Sequence, residues 1–193
     1  NPTSSHDFGK YVLPKLIETH EAYGYEFGDD AGRVRGKAYW RDVGTIDSFF
    51  EAHMDLLNPE PPLDLYQRDW AIRTMERQAP PARTVPGKSG RKSELSNSML
   101  GSGVVIAGGV VEHSVLSRNV RVGEDAVVTD CVLFDHIRVG EGARLNNCIV
   151  DKHVHIPAGE VVGFDLEKDR LRFSVSENGI VVIPRTYRFE DQL

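Results

Sequence analysis

Two aspartates and a tryptophan near the start of the chain have the types and surroundings of a site for a sugar or a cation. Asp7 begins the run Asp7-Phe8-Gly9-Lys10, and Asp42 follows Trp40 at an expected strand end before a glycine turn. A carboxylate there can hold a sugar hydroxyl or a divalent cation, and an indole offers a flat apolar face to a ring. The alternative is structural, with Asp42 capping the turn beside a tryptophan in the core.

Histidines in the second half of the chain suggest acyl transfer as a further chemistry, whereas the two cysteines there do not indicate metal binding. A histidine on a sheet face can act as a general base, and the candidates are His113, His136, His153 and His155. The alternating positions of the last two favour solvent or a neighbouring subunit instead. Cys131 and Cys148 lack the spacing of a metal-binding pair. We expect both to be free core residues in a reducing compartment, the cytoplasm.

A repeat of seventeen residues, which starts at Val105, positions these side chains. Aliphatic residues recur along it at steps of six, five and six, as three short strands and three tight corners per coil require. The columns are Val105, Val122, Val139 and Ile156; Val111, Val128, Leu145 and Val162; and Leu116, Leu133 and Val150. This hexapeptide pattern is typical of a parallel β-helix. The alternative is an antiparallel sandwich with chance spacing.

The segment before the repeat differs in kind and predicts helices with one short strand. Apolar residues at helical spacing predict a helix over 8–20, although Pro14 limits an uninterrupted one. A second helix is predicted over 46–57 with Thr45 as its N-cap, and a strand over 38–43.

Residues 58–103 are rich in proline and predict an extended connector, in which 83–98 form a mobile loop. The predicted domains are therefore 1–57, 58–103 and 104–193.

Composition limits the partners. Hydrophobic residues make up 40% and charged residues 27% of the chain, as in ordinary globular proteins. A net charge of −6 argues against a nucleic-acid surface but permits one small anion pocket. No run of eighteen apolar residues exists, so we expect no membrane partner. The first residue is not methionine and no signal peptide is present, which indicates a processed or truncated chain.

The blocks of the front segment resemble those of bacterial glucose-1-phosphate adenylyltransferase. They are Ser4-Ser5-His6-Asp7-Phe8-Gly9-Lys10, Tyr39-Trp40-Arg41-Asp42-Val43-Gly44-Thr45, Trp70-Ala71-Ile72-Arg73-Thr74 and Pro80-Pro81-Ala82-Arg83. The resemblance covers essentially the whole chain. It implies a mainly β fold, a left-handed parallel β-helix preceded by an α/β remnant of a nucleotidyltransferase domain.

The resemblance also implies an activity and its site. The family converts ATP and glucose 1-phosphate to ADP-glucose and pyrophosphate in glycogen synthesis, with Mg²⁺ as cofactor, in a homotetramer. Asp7 and Trp40 would line the glucose pocket, and Asp42 would be a magnesium ligand whose partner is absent from this chain. Lys152 and Arg185 match positions that bind anionic effectors such as sugar phosphates, although Pro184 and the final residues depart from more basic tails.

Three functions therefore compete. The chain lacks the glycine-rich nucleotide loop of the family, so it is predicted to be the C-terminal part of the enzyme and inactive alone. The second possibility is an assembly and regulatory module without catalysis. The third is a β-helix acyltransferase, which would require a trimer and acyl-CoA.

Overall fold

The computed structural model describes residues 7–24, 39–66, 68, 73 and 78–189. A π-helical segment covers Phe8–Val12, and the α-helices are α1 (Leu13–Thr19), α2 (Ile46–Asp55) and α3 (Leu166–Arg170). The strands are β1 (Arg83–Val85), β2 (Glu94–Ser96), β3 (Met99–Leu100), β4 (Val105–Ala107), β5 (Val110–Glu112), β6 (Val115–Leu116), β7 (Arg121–Val122), β8 (Val127–Leu133), β9 (Arg138–Val139), β10 (Arg144–Val150), β11 (His155–Ile156), β12 (Val161–Val162), β13 (Ser174–Val175) and β14 (Val181–Ile183). None of the helices in the described ranges is long and apolar enough to cross a membrane.

Short parallel strands stack into the coils of a β-helix, as the repeat predicts. One sheet has the order β1-β4-β7-β9-β11, and the other contains the remaining strands around β5, β8 and β10. β8 and β10 each cover two faces, because Asp130 and Asn147 interrupt their pairing and turn the chain at a corner. Only β13 runs antiparallel to its partner, β14. The fold is therefore mainly β, with three faces per coil.

Strand register confirms two of the predicted columns and corrects the third. The columns through Val128 and Leu133 are ladder partners as predicted. In the remaining column, Val122 pairs with Ile106, which is fully buried, whereas Val105 is only half-buried. The corner after Ile106 is one residue shorter than the corner after Val122. A fixed repeat of seventeen therefore places the first marker one residue too early.

The β-helix also begins one coil earlier than the sequence predicts. Strands β1, β2 and β3 lie inside the predicted connector and mobile loop, and they pair with β4, β5 and β6. Arg83 is 22 residues from its partner Val105, because the loop 87–91 lengthens one corner. An ion pair of 2.7 Å between Lys88 Nζ and Glu141 Oε1 ties this loop to a later coil. The longer spacing hides the first coil from a comparison at fixed period.

Residues with a positive backbone φ lie at the three corners of each coil, and those of successive coils stack into three ladders. The ladders are Asn97, His113, Asp130 and Asn147; Gly103, Asn119, His136 and His153; and Gly108, Asp125, Gly142 and Gly159. Gly, Asn and Asp adopt positive φ at least cost, and histidine is also enriched there. Three of the four histidines considered as general bases are thus corner residues.

The interior confirms the prediction of core cysteines. Cys131 and Cys148 are ladder partners, and both are free and fully buried. Their thiols donate to the carbonyls of Thr129 and Asn146, two residues earlier in each strand. Burial, and then the neighbouring Cys131 thiol, raise the pKa of Cys148 well above its ordinary value. The Cys148 thiol is therefore held in the neutral form inside the coils.

The front segment forms the predicted helices but not the predicted strand. Pro14 lies in the first turn of α1, and the π-helical turn before it closes with Leu13 N–H donating to Phe8 O. Residues 39–43 form no strand, because no described strand lies beside them to complete a ladder. Arg41 instead donates to Asp55 of α2. Residues 1–6, 38, 70–72 and 74, which belong to the motifs above, lie outside the described residues.

Helix α2 joins the front segment to the β-helix. Thr45 caps it as predicted, in a reciprocal hydrogen-bonded box with Ser48. Phe50 is buried in a cluster with Val132, Ile149 and Ile180 on the outside of the coils. In contrast, the residues of Phe8–Thr19 have no buried side chain. Within the front segment, α2 is the part that shares a core with the β-helix.

Two glycines in the corners on either side of β12 give a matched test of the coil geometry. Gly159 and Gly163 both have positive φ, but a Cβ at Gly159 meets open space while one at Gly163 collides with Asn146 O. We expect Gly159→Ala to lower the free energy of unfolding by about 1 kcal/mol and Gly163→Ala by roughly 3 kcal/mol or more. Urea unfolding measures both, and equal losses would contradict the packing described.

The buried thiols give a second prediction. Neither Cys131 nor Cys148 is accessible, and the raised pKa of Cys148 disfavours its thiolate. We expect both thiols to resist an aromatic disulfide reagent at pH 8 in the native chain and to react fully in denaturant. Rapid reaction of either thiol in the folded protein would show that the coils open there.

Candidate anion-binding site

The residues predicted to line the sugar site are all on the surface and not joined to one another. Asp7 Oδ1 accepts the backbone N–H of Lys10 at 2.8 Å, as an N-cap. Asp42 Oδ1 accepts the N–H of Gly44 at 3.0 Å, which is the turn-capping alternative. Trp40 is 72% exposed, so it is not the core residue of that alternative. Among the described residues, no hydrogen bond or ion pair connects the three.

Asp42 can supply only part of a magnesium site. Its Oδ2 accepts no hydrogen bond from the described residues, so one carboxylate oxygen is available for a cation. The described ranges contain no group of three or more His, Cys, Asp or Glu side chains that could hold a metal ion. The described residues therefore do not form a magnesium site by themselves, and the magnesium role of Asp42 stays a prediction.

The two predicted effector residues lie on neighbouring coils at one corner. Val150 pairs with Ile183, and the N–H of Asp151 donates to Ile183 O at 2.9 Å. Continuing this register by two residues places Lys152 opposite Arg185. Both side chains are exposed, and neither has an ion pair with a described residue. Two unpaired cations at adjacent positions are suited to an anion with more than one charge.

A third cation extends this corner into a groove. Arg188 Nη1 donates to the carbonyl oxygen of Arg185 at 2.8 Å, which keeps the two arginines together. Arg188 also lines a groove of about 740 Å³ with Arg138, His153 and His155, and the described residues of its wall include no Asp or Glu. We call the surface formed by Lys152, Arg185 and Arg188 the effector corner.

The aromatic side chains of the C-terminal tail hold the effector corner in place. The rings of Tyr187 and Phe189 lie 5.0 Å apart edge to face, and Tyr187 packs 4.7 Å from buried Phe173. Arg172 adds an ion pair of 2.9 Å to Glu160. The backbone that carries Arg185 and Arg188 is thereby anchored to the last coils.

Sequence reasoning missed Arg121 and Arg138 on the coil face beside this corner, and it considered His155 only as a possible general base. Arg121, Arg138 and His155 are exposed and line one surface groove. Each directly precedes an aliphatic marker of the repeat, so three successive positions in one column of the aligned repeat are basic. That column was the available signal. Arg188 carried no comparable signal, because it lies beyond the repeat.

Two family models divide the chain at the boundary between these structural parts. The model described as GlmU-like, C-terminal hexapeptide matches residues 80–183, and the one described as nucleotidyl transferase matches residues 1–59. The chain belongs to the GlmU-like C-terminal hexapeptide family. Its hexapeptide part corresponds to the coils from β1 to β14, and the nucleotidyl transferase match ends just after α2.

Curated relatives of this hexapeptide protein carry the name glucose-1-phosphate adenylyltransferase. The protein from Vibrio parahaemolyticus is 56% identical over 97% of this chain and 46% of its own length. The one from Vibrio cholerae is 52% identical over 98% of this chain, and one from Deinococcus radiodurans is 42% identical over 96%. The chain spans about half the length of the curated relatives it matches. The resemblance stated from the motifs is confirmed.

We expect a multivalent anion to bind at the effector corner. Replacement of both Lys152 and Arg185 by Ala should weaken binding of a sugar bisphosphate about tenfold or more, because two charge-assisted contacts are lost. Isothermal titration calorimetry measures the affinity. Lys168→Ala with Arg170→Ala on α3 removes the same charge elsewhere and serves as the control. An equal loss in the control pair would refute the assignment.

Proposed function

We propose that this chain is the C-terminal part of a glucose-1-phosphate adenylyltransferase, which forms ADP-glucose and diphosphate from ATP and α-D-glucose 1-phosphate. The observation that supports the proposal most strongly is the match to proteins of that name over nearly all of this chain but under half of theirs. In the whole protein, this part contributes oligomer contacts, effector binding and one wall of the sugar site.

The front segment is arranged to complete a site with residues from elsewhere in the protein. Asp7, Trp40 and Asp42 are exposed, and the apolar face of α1 is also uncovered. In the proposed enzyme, Asp7 and Trp40 bind the sugar, and Asp42 provides one oxygen ligand to Mg²⁺. When bound, this cation would balance the negative charge of the phosphates. A single carboxylate cannot position it, so a second ligand must come from outside the described residues.

The packing of α2 supports a physical connection between effector and sugar sites. Phe49 of α2 lies 6.2 Å, ring to ring, from Phe134, which is next to the corner residues Asp135 and His136. Asp135 is in turn held by Arg118 at 2.9 Å. An anion that draws in Lys152 on the adjacent coil would act on this corner and thus on the base of α2. We propose this contact as the route of effector control.

The open faces and ends of the β-helix support a role in assembly. β11 is the last strand of its sheet, and no described strand pairs with its outer edge, which another chain could therefore approach. Closed symmetry is the common arrangement of soluble oligomers, and a homotetramer agrees with the resemblance. The second candidate function is assembly and regulation without catalysis. It is favoured by the contrast between the complete core of the coils and the front segment, where Phe8–Thr19 buries nothing.

Release of pyrophosphate from ATP and glucose 1-phosphate with Mg²⁺ tests the proposal. We expect none from the 193-residue chain alone and clear turnover, with ADP-glucose as product, from a longer protein that contains it. In that longer protein, Asp42→Asn should lower kcat about a hundredfold, since a ligand of a charge-balancing cation is lost. Asp47→Asn on α2 is the control for a nearby change of charge.

The outcomes separate the candidates. Absence of turnover in the longer protein, together with binding of a sugar bisphosphate, would replace the enzyme by the regulatory module. Turnover by the 193-residue chain alone would refute the claim that its site is incomplete.

A further inference from the structure

One face of the β-helix carries a straight column of basic side chains that the proposed function does not use. Along the sheet β1-β4-β7-β9-β11, successive register partners are Arg83, Val105, Arg121, Arg138 and His155. Neighbouring strands are separated by about 4.8 Å, so the column extends over roughly 19 Å. All its members except Val105 are exposed. We call it the basic column.

The basic column lies in a groove whose described lining residues carry no negative charge. The groove has a volume of about 1120 Å³ and is bordered by Pro80 and Pro81 at one end and by His136 and His153 along one side. The rings of these two histidines stack 5.0 Å apart and nearly parallel. None of the described residues that line it is Asp or Glu, although the chain as a whole has a net charge of −6. The positive charge is therefore concentrated in one concave surface.

The arginines of the column form no ion pair within the described part of the chain, in contrast to other arginines of the coils. Arg118 and Arg172 each form an ion pair of 2.9 Å with a carboxylate. Arg83, Arg121 and Arg138 form none with any described residue. Arg121 and Arg138 are direct register partners, and like charges at such positions destabilise a sheet. A bound anion would remove this repulsion, which identifies the groove as a ligand site.

The geometry points to an oligophosphate, a chain of three or more linked phosphates, as the ligand. A guanidinium group matches two phosphate oxygens, and a row of them at strand spacing fits a linear row of phosphates. The described residues of the groove wall include no Phe, Tyr or Trp on which bases could stack, which disfavours single-stranded nucleic acid. We propose that the basic column binds the oligophosphate along its length, without contacts from Lys152 and Arg185 of the effector corner; Arg138 and His155 also line the groove beside Arg188.

Calorimetric titration of the 193-residue chain with tripolyphosphate tests this proposal. We expect saturable binding that Arg83→Ala with Arg121→Ala weakens about tenfold or more. The control pair Lys168→Ala with Arg170→Ala should change the affinity less than about twofold, because these exposed cations lie on α3. Orthophosphate and citrate should each bind at least about tenfold more weakly, since neither offers several linked phosphates.

Further variants and ligands in the same titration locate the site and identify the ligand. The double variant Lys152→Ala with Arg185→Ala should retain tripolyphosphate binding. If this variant loses binding while the Arg83→Ala with Arg121→Ala variant keeps it, the ligand binds at the effector corner and the proposal is overturned. Tighter binding of a short oligothymidylate would overturn it in favour of nucleic acid. Circular dichroism checks folding, and Arg121→Gln with Arg138→Gln replaces the first pair if that pair unfolds. Absence of any tripolyphosphate binding would also overturn it, whatever the result of the turnover assay.

Discussion

The corner residues with positive φ are the constraint on which the rest of the structure depends. Each coil must change direction three times within about seventeen residues, and a tight corner requires a conformation that most side chains disfavour. Because Asn, Asp, Gly and His occupy these positions in stacked ladders, every coil has nearly the same shape as the next. Identical coils then stack in register, and the inner columns fill the interior with aliphatic residues and two cysteines.

The same register determines the chemistry of the outer surface. A residue that faces outward in one coil lies one strand spacing from its equivalent in the next, so side chains of one type form straight rows. Apolar outward residues such as Val132 and Ile149 form the surface against which α2 packs. Basic ones make the column through Arg121 and Arg138. The front segment has no comparable framework of its own, and α2 is the element through which it shares a core with the coils.

The sequence predicted the coils well, because a periodic fold repeats its signal, and failed where the period changes. The shortened corner before Val111 displaced one column by a residue, and the loop 87–91 hid the first coil. Residues 39–43 have the composition of a strand, but a strand needs a partner, which composition does not show. Lys152 and Arg185 were indicated by resemblance alone. Their juxtaposition depends on pairing across 33 residues that include α3 and β13, so no local pattern could reveal it.

Hydrogen exchange of the backbone amides is the most direct measurement of the central claim, that the coils with α2 form one folded unit that carries the proposed, incomplete sugar site. We predict slow exchange in β8 and β10 and in α2, whose Phe50 is buried against the coils. Residues 8–19, with no buried side chain, should exchange rapidly in the 193-residue chain. Protection of residues 8–19 equal to that of the coils, or rapid exchange throughout α2, would contradict the account.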